Sequence, residues 1–329
     1  MTELNRRRML ALAGAAGAAA ALPGTLKAAT YPDRPVTLIV PWGAGGGTDA
    51  TARMIGTLLE EKLGQPFNVV NRTGGSGVVG HSAIATAKPD GYTIGLITVE
   101  ITMMHYLGLT QLGPKDYTPL GMMNADPAGV QVSTDSAWTT IEELADAIKA
   151  SKPGELKASG TGQGGIWHLA LIGWLQSMGL DANHVRWVPS EGSAAGMQDL
   201  VAGGVDIVPC SLPEARSMID AGRARSLALM AETRDPNFPD VPTLKESLDL
   251  DYTLNVWRGM AGPLDMPAEV SDVLAKALAE IAASEQYTSF MAGRGFGVRH
   301  LPPAEFAAFM EKSDAQMGES MTAAGLARD

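Results

Sequence analysis

The sequence predicts an α/β protein of two lobes, each a sheet flanked by helices, and three observations carry that reading. Short β-branched apolar runs alternate with stretches whose apolar residues recur every three or four positions. Three glycine-rich turns stand between a strand end and a helix start. The alternation runs once, begins again, and then gives way to a mostly helical C-terminal segment.

The first strand is Val36-Thr37-Leu38-Ile39-Val40, broken by Pro41 and followed by Gly43-Ala44-Gly45-Gly46-Gly47. Thr48 or Asp49 is the expected cap of the next helix, in which Met54, Ile55, Leu58, Leu59 and Leu63 keep helical spacing until Gly64 ends it. A strand over 67–70, a helix over 76–87 and a strand over 92–99 continue the rhythm. It resumes with a strand over 129–132 and the capping box Thr140-Ile141-Glu142-Glu143, which opens a helix to Ala150. Strands follow over 156–158, 185–188, 205–208 and 226–230, with helices between them. From Trp257 the pattern is mostly helical, over 267–283, 285–293 and 303–324, with a short strand near Val298. Crossings near Asp126-Pro127 and Leu254-Asn255 give one lobe of residues 30–127 plus 255–329 and a second of 128–254.

Residues 1–29 read as an export signal: a basic start, an almost wholly Ala, Leu, Met and Gly run over 9–22, and a polar stretch ending Lys27-Ala28-Ala29. The run is too short to span a bilayer. Arg6-Arg7-Arg8-Met9-Leu10 fits an ordinary secretory start and a twin-arginine signal equally well. Cleavage near Ala28 or Ala29 yields a periplasmic chain.

Charge then narrows the partners. Of 25 Lys+Arg and 36 Asp+Glu, the first 29 residues hold four basic groups and Glu3, so the remainder keeps 21 and 35, a net −14. That balance excludes nucleic acid and an anionic membrane surface as general partners. Hydrophobic residues at 45% and charged residues at 19% describe a globular chain. The lone Cys210, flanked by Val208 and Leu212, excludes an intrachain disulfide and reads as a packed thiol. The five histidines show no metal-ligand spacing, so no metal is expected.

The first glycine turn, Pro41 to Asp49, places backbone N–H groups at a helix start, where unpaired donors and the helix dipole attract an anion. In the second, Gly75-x-Gly77-x-x-Gly80 spells a dinucleotide fingerprint, with Glu100 at the end of the following strand as the ribose acceptor. The third is Ser159-Gly160-Thr161-Gly162-Gln163-Gly164-Gly165, in the other lobe, and Gly160, Gly162 and Gly165 repeat the same spacing by glycine abundance alone. His168 follows it among Leu169, Leu171 and Ile172, which favours a packed or helix-capping ring over a catalytic one. No nucleophile elbow or Ser-His-Asp set accompanies it, so no catalytic residue is expected. Two glycine loops in opposite lobes can clamp one small ligand.

Tyr31-Pro32-Asp33-Arg34-Pro35-Val36, the Pro41 to Asp49 loop, Asn71-Arg72 with the glycines to Gly80, Ala87-Lys88-Pro89-Asp90-Gly91-Tyr92, Ser159 to His168, Ala202-Gly203-Gly204-Val205-Asp206 and Trp257 to Pro263 together resemble the solute-binding proteins of the tripartite tricarboxylate transporter family, the Bug proteins. The resemblance implies a Venus-flytrap periplasmic-binding-protein fold. It also implies a receptor, not an enzyme, that captures a small carboxylated molecule without a cofactor and delivers it to a large and a small membrane permease subunit. The implied ligand contacts are Trp42, Gly43, Ala44, Gly47, Thr48 and Asp49 in one loop and Ser159, Gly160, Thr161, Gly162 and Gln163 in the other; Ser211 and Glu191 are further candidates beside them.

Two residues depart from the family pattern. Glu191 stands in Pro189-Ser190-Glu191-Gly192-Ser193, where small or basic residues are usual, and Arg258 follows Trp257, where a Tyr or similar residue is usual. Glu191 either faces the crevice and favours a hydroxyl, amide or amine on the ligand, or is a solvated carboxylate at a helix N-terminus. If Glu191 faces the crevice, Arg258 can offset its charge by pairing with Glu191 or with the ligand. The alternative reading from the Gly75 to Gly80 turn is an exported NAD(P)-type oxidoreductase.

Overall fold

The computed structural model describes residues 31–328, so the expected export signal over 1–29 lies outside the described residues. In chain order the elements are β1 (Val36–Val40), α1 (Gly47–Leu63), β2 (Phe67–Asn71), α2 (Val78–Ala85), β3 (Thr93–Thr98), β4 (Tyr117–Pro127), β5 (Gly129–Ser133), α3 (Ile141–Ala150), β6 (Lys157–Ala158), α4 (Ile166–Ser177), β7 (Arg186–Trp187) and α5 (Ser193–Val201). Then come α6 (Leu212–Asp220), β8 (Ala224–Leu229), α7 (Leu244–Leu248), β9 (Asn255–Pro263), α8 (Ala268–Ala282), α9 (Glu285–Arg294), β10 (Val298–Leu301) and α10 (Pro303–Ala323).

Six strands form the larger sheet in the order β10-β4-β9-β3-β1-β2. β1 runs parallel to β2 and β3, so the helices between them return each strand to the same end, while β9 is antiparallel to both β3 and β4. A second sheet is assembled from β8-β5 and β6-β7. Single bridges at Gln131↔Val208 and Ala158↔Ile207 join the two pairs through the segment around residue 207. That segment, read from sequence as a strand over 205–208, is therefore present only as bridges.

The chain passes between the sheets on two long strands. Pro127 at the end of β4 is register-paired with Asn255 at the start of β9. Both strands are buried over most of their length, and the segment expected to be mostly helical from Trp257 is so only after β9, which continues to Pro263. Val36, Leu38, Val40, Ile94 and Leu96 pack against α1, α8 and α9 to form one core. A second, larger core runs through α4, β5 and β8 and reaches Phe306 and Met310 of α10.

Local signals explain several helix ends. The Thr140 hydroxyl accepts from Glu143 N, and the Glu143 carboxylate accepts from Thr140 N, completing the capping box of α3. α1 ends at Gly64 in the left-handed region, but its N-cap is Gly46 rather than Thr48 or Asp49, and no side chain caps it. Its first-turn donors are left for another partner.

The second glycine turn is explained by packing. Gly80 lies so close to Pro41 that a Cβ there would collide with the Pro41 Cα and with the carbonyl of Arg72. That approach seats α2 against the end of β1. Gly80→Ala is expected to destabilise the protein by about 1–3 kcal/mol through overpacking. Urea unfolding checks this, and a loss under about 0.5 kcal/mol, the range of neutral surface changes, contradicts it.

Candidate functional site

β1 and β3 end at the mouth of a cleft of about 200 Å³ that lies between the two sheets. In an open α/β sheet the crevice outside the strands' carboxyl ends is where loops and helix N-termini meet. Trp42, Gly43, Ala44, Gly47 and Thr48 of the first loop line it, with Thr161 of the third loop and Glu191. The Trp42 indole is fixed by its Nε1, which donates to Thr98 Oγ1 at 3.2 Å.

Three helices begin on the cleft wall. In α1, Ala50 N makes the first helical bond to Gly46 O, so the N–H groups of Gly47 and Thr48 have no intrahelical acceptor. In α5, Gly196 N bonds Gly192 O, leaving the N–H groups of Ser193, Ala194 and Ala195 in the same position. Neither helix has a side-chain cap. The third, α4, is already occupied, because Ile166 N donates to Glu100 Oε1 at 3.2 Å. His168 closes back on the turn ahead of this helix, its Nδ1 accepting from Gly164 N at 3.1 Å, and the helix itself has no side-chain cap; burial holds the ring's pKa down to about 4.

Behind the cleft lies a buried charge cluster. Arg258 is fully buried on β9. Its Nη1 donates to Asp126 Oδ2 at 2.9 Å and to Asn124 Oδ1, its Nη2 to Glu214 Oε1 at 2.5 Å, and its Nε to Thr48 Oγ1 at 3.2 Å. Burial opposes its charge, but Glu214 and Asp126 hold its pKa above the ordinary value. Burial pushes Asp126 and Glu214 up, only partly offset by Arg258, because two carboxylates share one guanidinium. The bonds of Arg258 thus go to Thr48, Asn124, Asp126 and Glu214 and not to Glu191, contrary to the expectation of an Arg258–Glu191 pair.

Glu100 is buried one layer nearer the glycine turn. Its Oε2 accepts from the Thr98 hydroxyl, and burial raises its pKa against the pull of that bond and of Ile166 N–H. His81 accepts from Thr98 N at 3.2 Å, contacts Gly77 O at 2.8 Å, and is pushed down to about 4 by burial, which makes it neutral. Glu100 is committed to these partners and does not stand as a ribose acceptor.

The remaining sequence-predicted contacts, Glu191 apart, stand away from the cleft wall. Asp49 accepts from Gly45 N, Arg53 and Asn71; burial works against its charge, yet these bonds hold its carboxyl below the usual range. Ser159 is buried, and Gly160 packs against Trp167. Gly162 packs on Ser76, whose hydroxyl donates to the Gln163 carbonyl at 2.9 Å. Ser211 is the buried N-cap of α6. Glu191 is exposed at the cleft rim, and its carbonyl accepts from Gly43 N at 3.1 Å, a bond that ties the first loop to the turn before α5.

Sequence reasoning missed Glu214, Asp126, Asn124 and the α5 first turn. The signal for Asn124 and Asp126 was their i, i+2 spacing in an otherwise apolar run, which puts two polar groups on one face of a strand. Glu214 was readable as the first-turn acid that follows Ser211-Leu212-Pro213.

Two outcomes follow. Arg258→Met leaves two buried carboxylates uncompensated and is expected to cost about 3–5 kcal/mol in denaturant unfolding; adding Asp126→Asn and Glu214→Gln should restore most of the loss. Glu100 has a folded pKa above its unfolded one, so its stabilising contribution is present below the ordinary carboxylate range and lost as pH rises through the raised value. Glu100→Gln should therefore raise the melting temperature at neutral pH relative to the parent and lose that advantage in acid. An advantage that does not change with pH contradicts the assignment.

The comparisons agree with this arrangement. The family model described as tripartite tricarboxylate transporter family receptor matches residues 51–326. A UPF0065 protein from the tcbD-tcbE intergenic region of Pseudomonas sp. is 31% identical over 281 residues, 83% of this chain and 81% of its own. The structure of the periplasmic binding protein BugD is similar with a TM-score of 0.85 at 27% identity, over 91% of this chain and 100% of that one. R. palustris Rpa4515 with adipate gives a TM-score of 0.85 at 28% identity, over 90% and 99%. Nothing in these matches or in the Gly75 to Gly80 geometry supports the oxidoreductase alternative. With its two-lobed binding-protein fold and its cleft between sheets, the chain belongs to the tripartite tricarboxylate transporter receptor family.

Proposed function

We propose that this protein is an extracytoplasmic receptor that closes on a small carboxylated solute, does not transform it, and hands it to a large and a small membrane permease subunit. The observation that carries the reading is the pair of uncapped helix N-termini, Gly47-Thr48 of α1 and Ser193-Ala194-Ala195 of α5, on the wall of one cleft. Backbone N–H groups and two helix dipoles aimed at one point favour a carboxylate, and enclosure strengthens each bond by excluding water. The adipate in R. palustris Rpa4515 supports the ligand class.

The reading assigns residues 30–127 plus 255–329 to one lobe and 128–254 to the other, with removal of an export signal near Ala28 or Ala29 and a periplasmic location. The cleft of about 200 Å³ is of a scale that takes a small solute. Trp42, Thr48, Thr161 and Glu191 border it from both lobes.

Ser193→Pro tests the reading at a single donor. Proline is tolerated at the first helical position, where the missing N–H breaks no intrahelical bond, and the preceding Gly192, at φ 141°, keeps a positive φ that glycine adopts freely. Loss of one charge-assisted bond is expected to weaken carboxylate binding by about tenfold to a hundredfold in calorimetry. Unchanged affinity, with the melting temperature of the free protein preserved, would move the carboxylate away from α5.

A further inference from the structure

The helix N-termini account for one end of a ligand, while the other end meets an acidic wall. Among the described residues, Arg258 is the one cationic side chain on the cleft wall, and it is already bonded to Asp126 and Glu214. Glu214 is placed from α6, and its side chain is 5% exposed. Its Oε1 receives the guanidinium, whereas its buried Oε2 has no protein hydrogen-bond partner. The Thr161 hydroxyl, 3% exposed on the same wall, also lacks one.

A buried carboxylate oxygen without a donor is a costly state that a ligand group can relieve. The charge count sets what that group must be. One guanidinium faces the carboxyls of Asp126, Glu214 and Glu100, and burial already disfavours their ionised forms, so a second carboxylate on the ligand would disfavour them further. A neutral hydroxyl would satisfy Oε2 without offsetting the cost of ionising these groups. A cationic N–H donor answers both.

Resting on the carboxylate reading above, we propose that the solute also carries an ammonium, received by Glu214 Oε2 with the Thr161 hydroxyl as a second acceptor, so that the ligand class is a short amino acid and not a dicarboxylate. Gly47 belongs to the same design. A Cβ there would lie 2.7 Å from Glu214 Oε1 and 2.9 Å from Arg258 Nη2, so only glycine lets the first turn of α1, which offers carboxylate donors, lie against the ion pair.

The assignment carries a proton linkage. The groups facing Glu214 are Arg258 on β9, Asp126 on β4, Ser193 on α5 and Cys210 ahead of α6. Burial raises the Glu214 pKa; Arg258 and the nearby Ser193 hydroxyl pull it down, Asp126 pushes it further up, and Ser193 makes no bond to Oε2. An arriving ammonium favours the ionised carboxylate, so binding releases protons, whereas a second ligand carboxylate would take them up.

The test is calorimetry on the purified mature chain with matched probes: alanine, β-alanine and γ-aminobutyrate against propionate and butyrate, and against succinate, glutarate and malate. At least one amino acid should bind about tenfold or more tightly than its amine-free and dicarboxylate counterparts, the worth of a charge-assisted bond. Titration in buffers of different ionisation heat should show proton release. Glu214→Gln, which keeps the bond to Arg258, should erase the preference. Succinate, glutarate or malate binding the parent as tightly as the amino acids overturns the inference and leaves the carboxylate reading intact, as does a preference unmoved by Glu214→Gln. Simple amines binding as well as the amino acids would remove the carboxylate reading while sustaining the role of Glu214. The comparison among probes on the parent protein decides the matter even if the variant does not fold.

Discussion

The bond on which the rest of this structure depends is the one from Arg258 to its ring of acceptors. A guanidinium is permanently charged and presents its donors in a fixed plane, so burying it demands a complete set of partners. Those partners come from β4, through Asn124 and Asp126, from α1, through Thr48, and from α6, through Glu214. Asp126 is fixed in turn by Gly297 N at 2.8 Å, just ahead of β10. One side chain thereby joins the two long crossing strands to a helix from each lobe. The back wall of the cleft has the shape that this bonding imposes.

The front of the cleft follows a different rule. Four bonds cross between the lobes around it: Gly43 N to Glu191 O, Ser76 Oγ to Gln163 O, Ile166 N to Glu100 Oε1, and Arg258 Nη2 to Glu214 Oε1. Two use buried carboxylates and two use backbone carbonyls, and none consumes the first-turn donors of α5. Nature's usual cap at a helix start is an Asp, Asn, Ser or Thr side chain. Glycine at both N-caps here, Gly46 and Gly192, keeps those donors available and brings the backbone near enough for a ligand to reach them.

Much of the fold was legible, and the gaps have physical causes. β1, α1 and the α3 capping box follow directly from β-branched runs, helical periodicity and cap chemistry. β4 and β9 escaped because both lie in the interior of the sheet and show continuous burial rather than alternation. Pro119 and Gly121, which read as breakers, coincide with a register shift inside β4. Gly259 and Gly262 of β9 make room for Phe306 and Met266. Of the site, the first loop was legible because glycines and a strand end mark it locally. The cluster around Arg258 was not, because its members lie on four segments far apart in sequence, and only the antiparallel pairing of β4 with β9 brings Asn124 opposite Arg258. The dinucleotide spacing at Gly75, Gly77 and Gly80 misleads for the complementary reason: close packing against Trp42, His81 and Pro41 needs glycine as much as a pyrophosphate does.

The central claim is that the carboxylate of the solute sits on the first turns of α5 and α1, between the lobes. A crystal structure of the protein with a bound acid tests it most directly. The account predicts carboxylate oxygens within hydrogen-bond distance of the backbone N–H groups of Ser193, Ala194 or Ala195 and of Gly47 or Thr48. A carboxylate held instead by side chains in the groove between Tyr252 and α10, on the other side of the crossing strands, would contradict it.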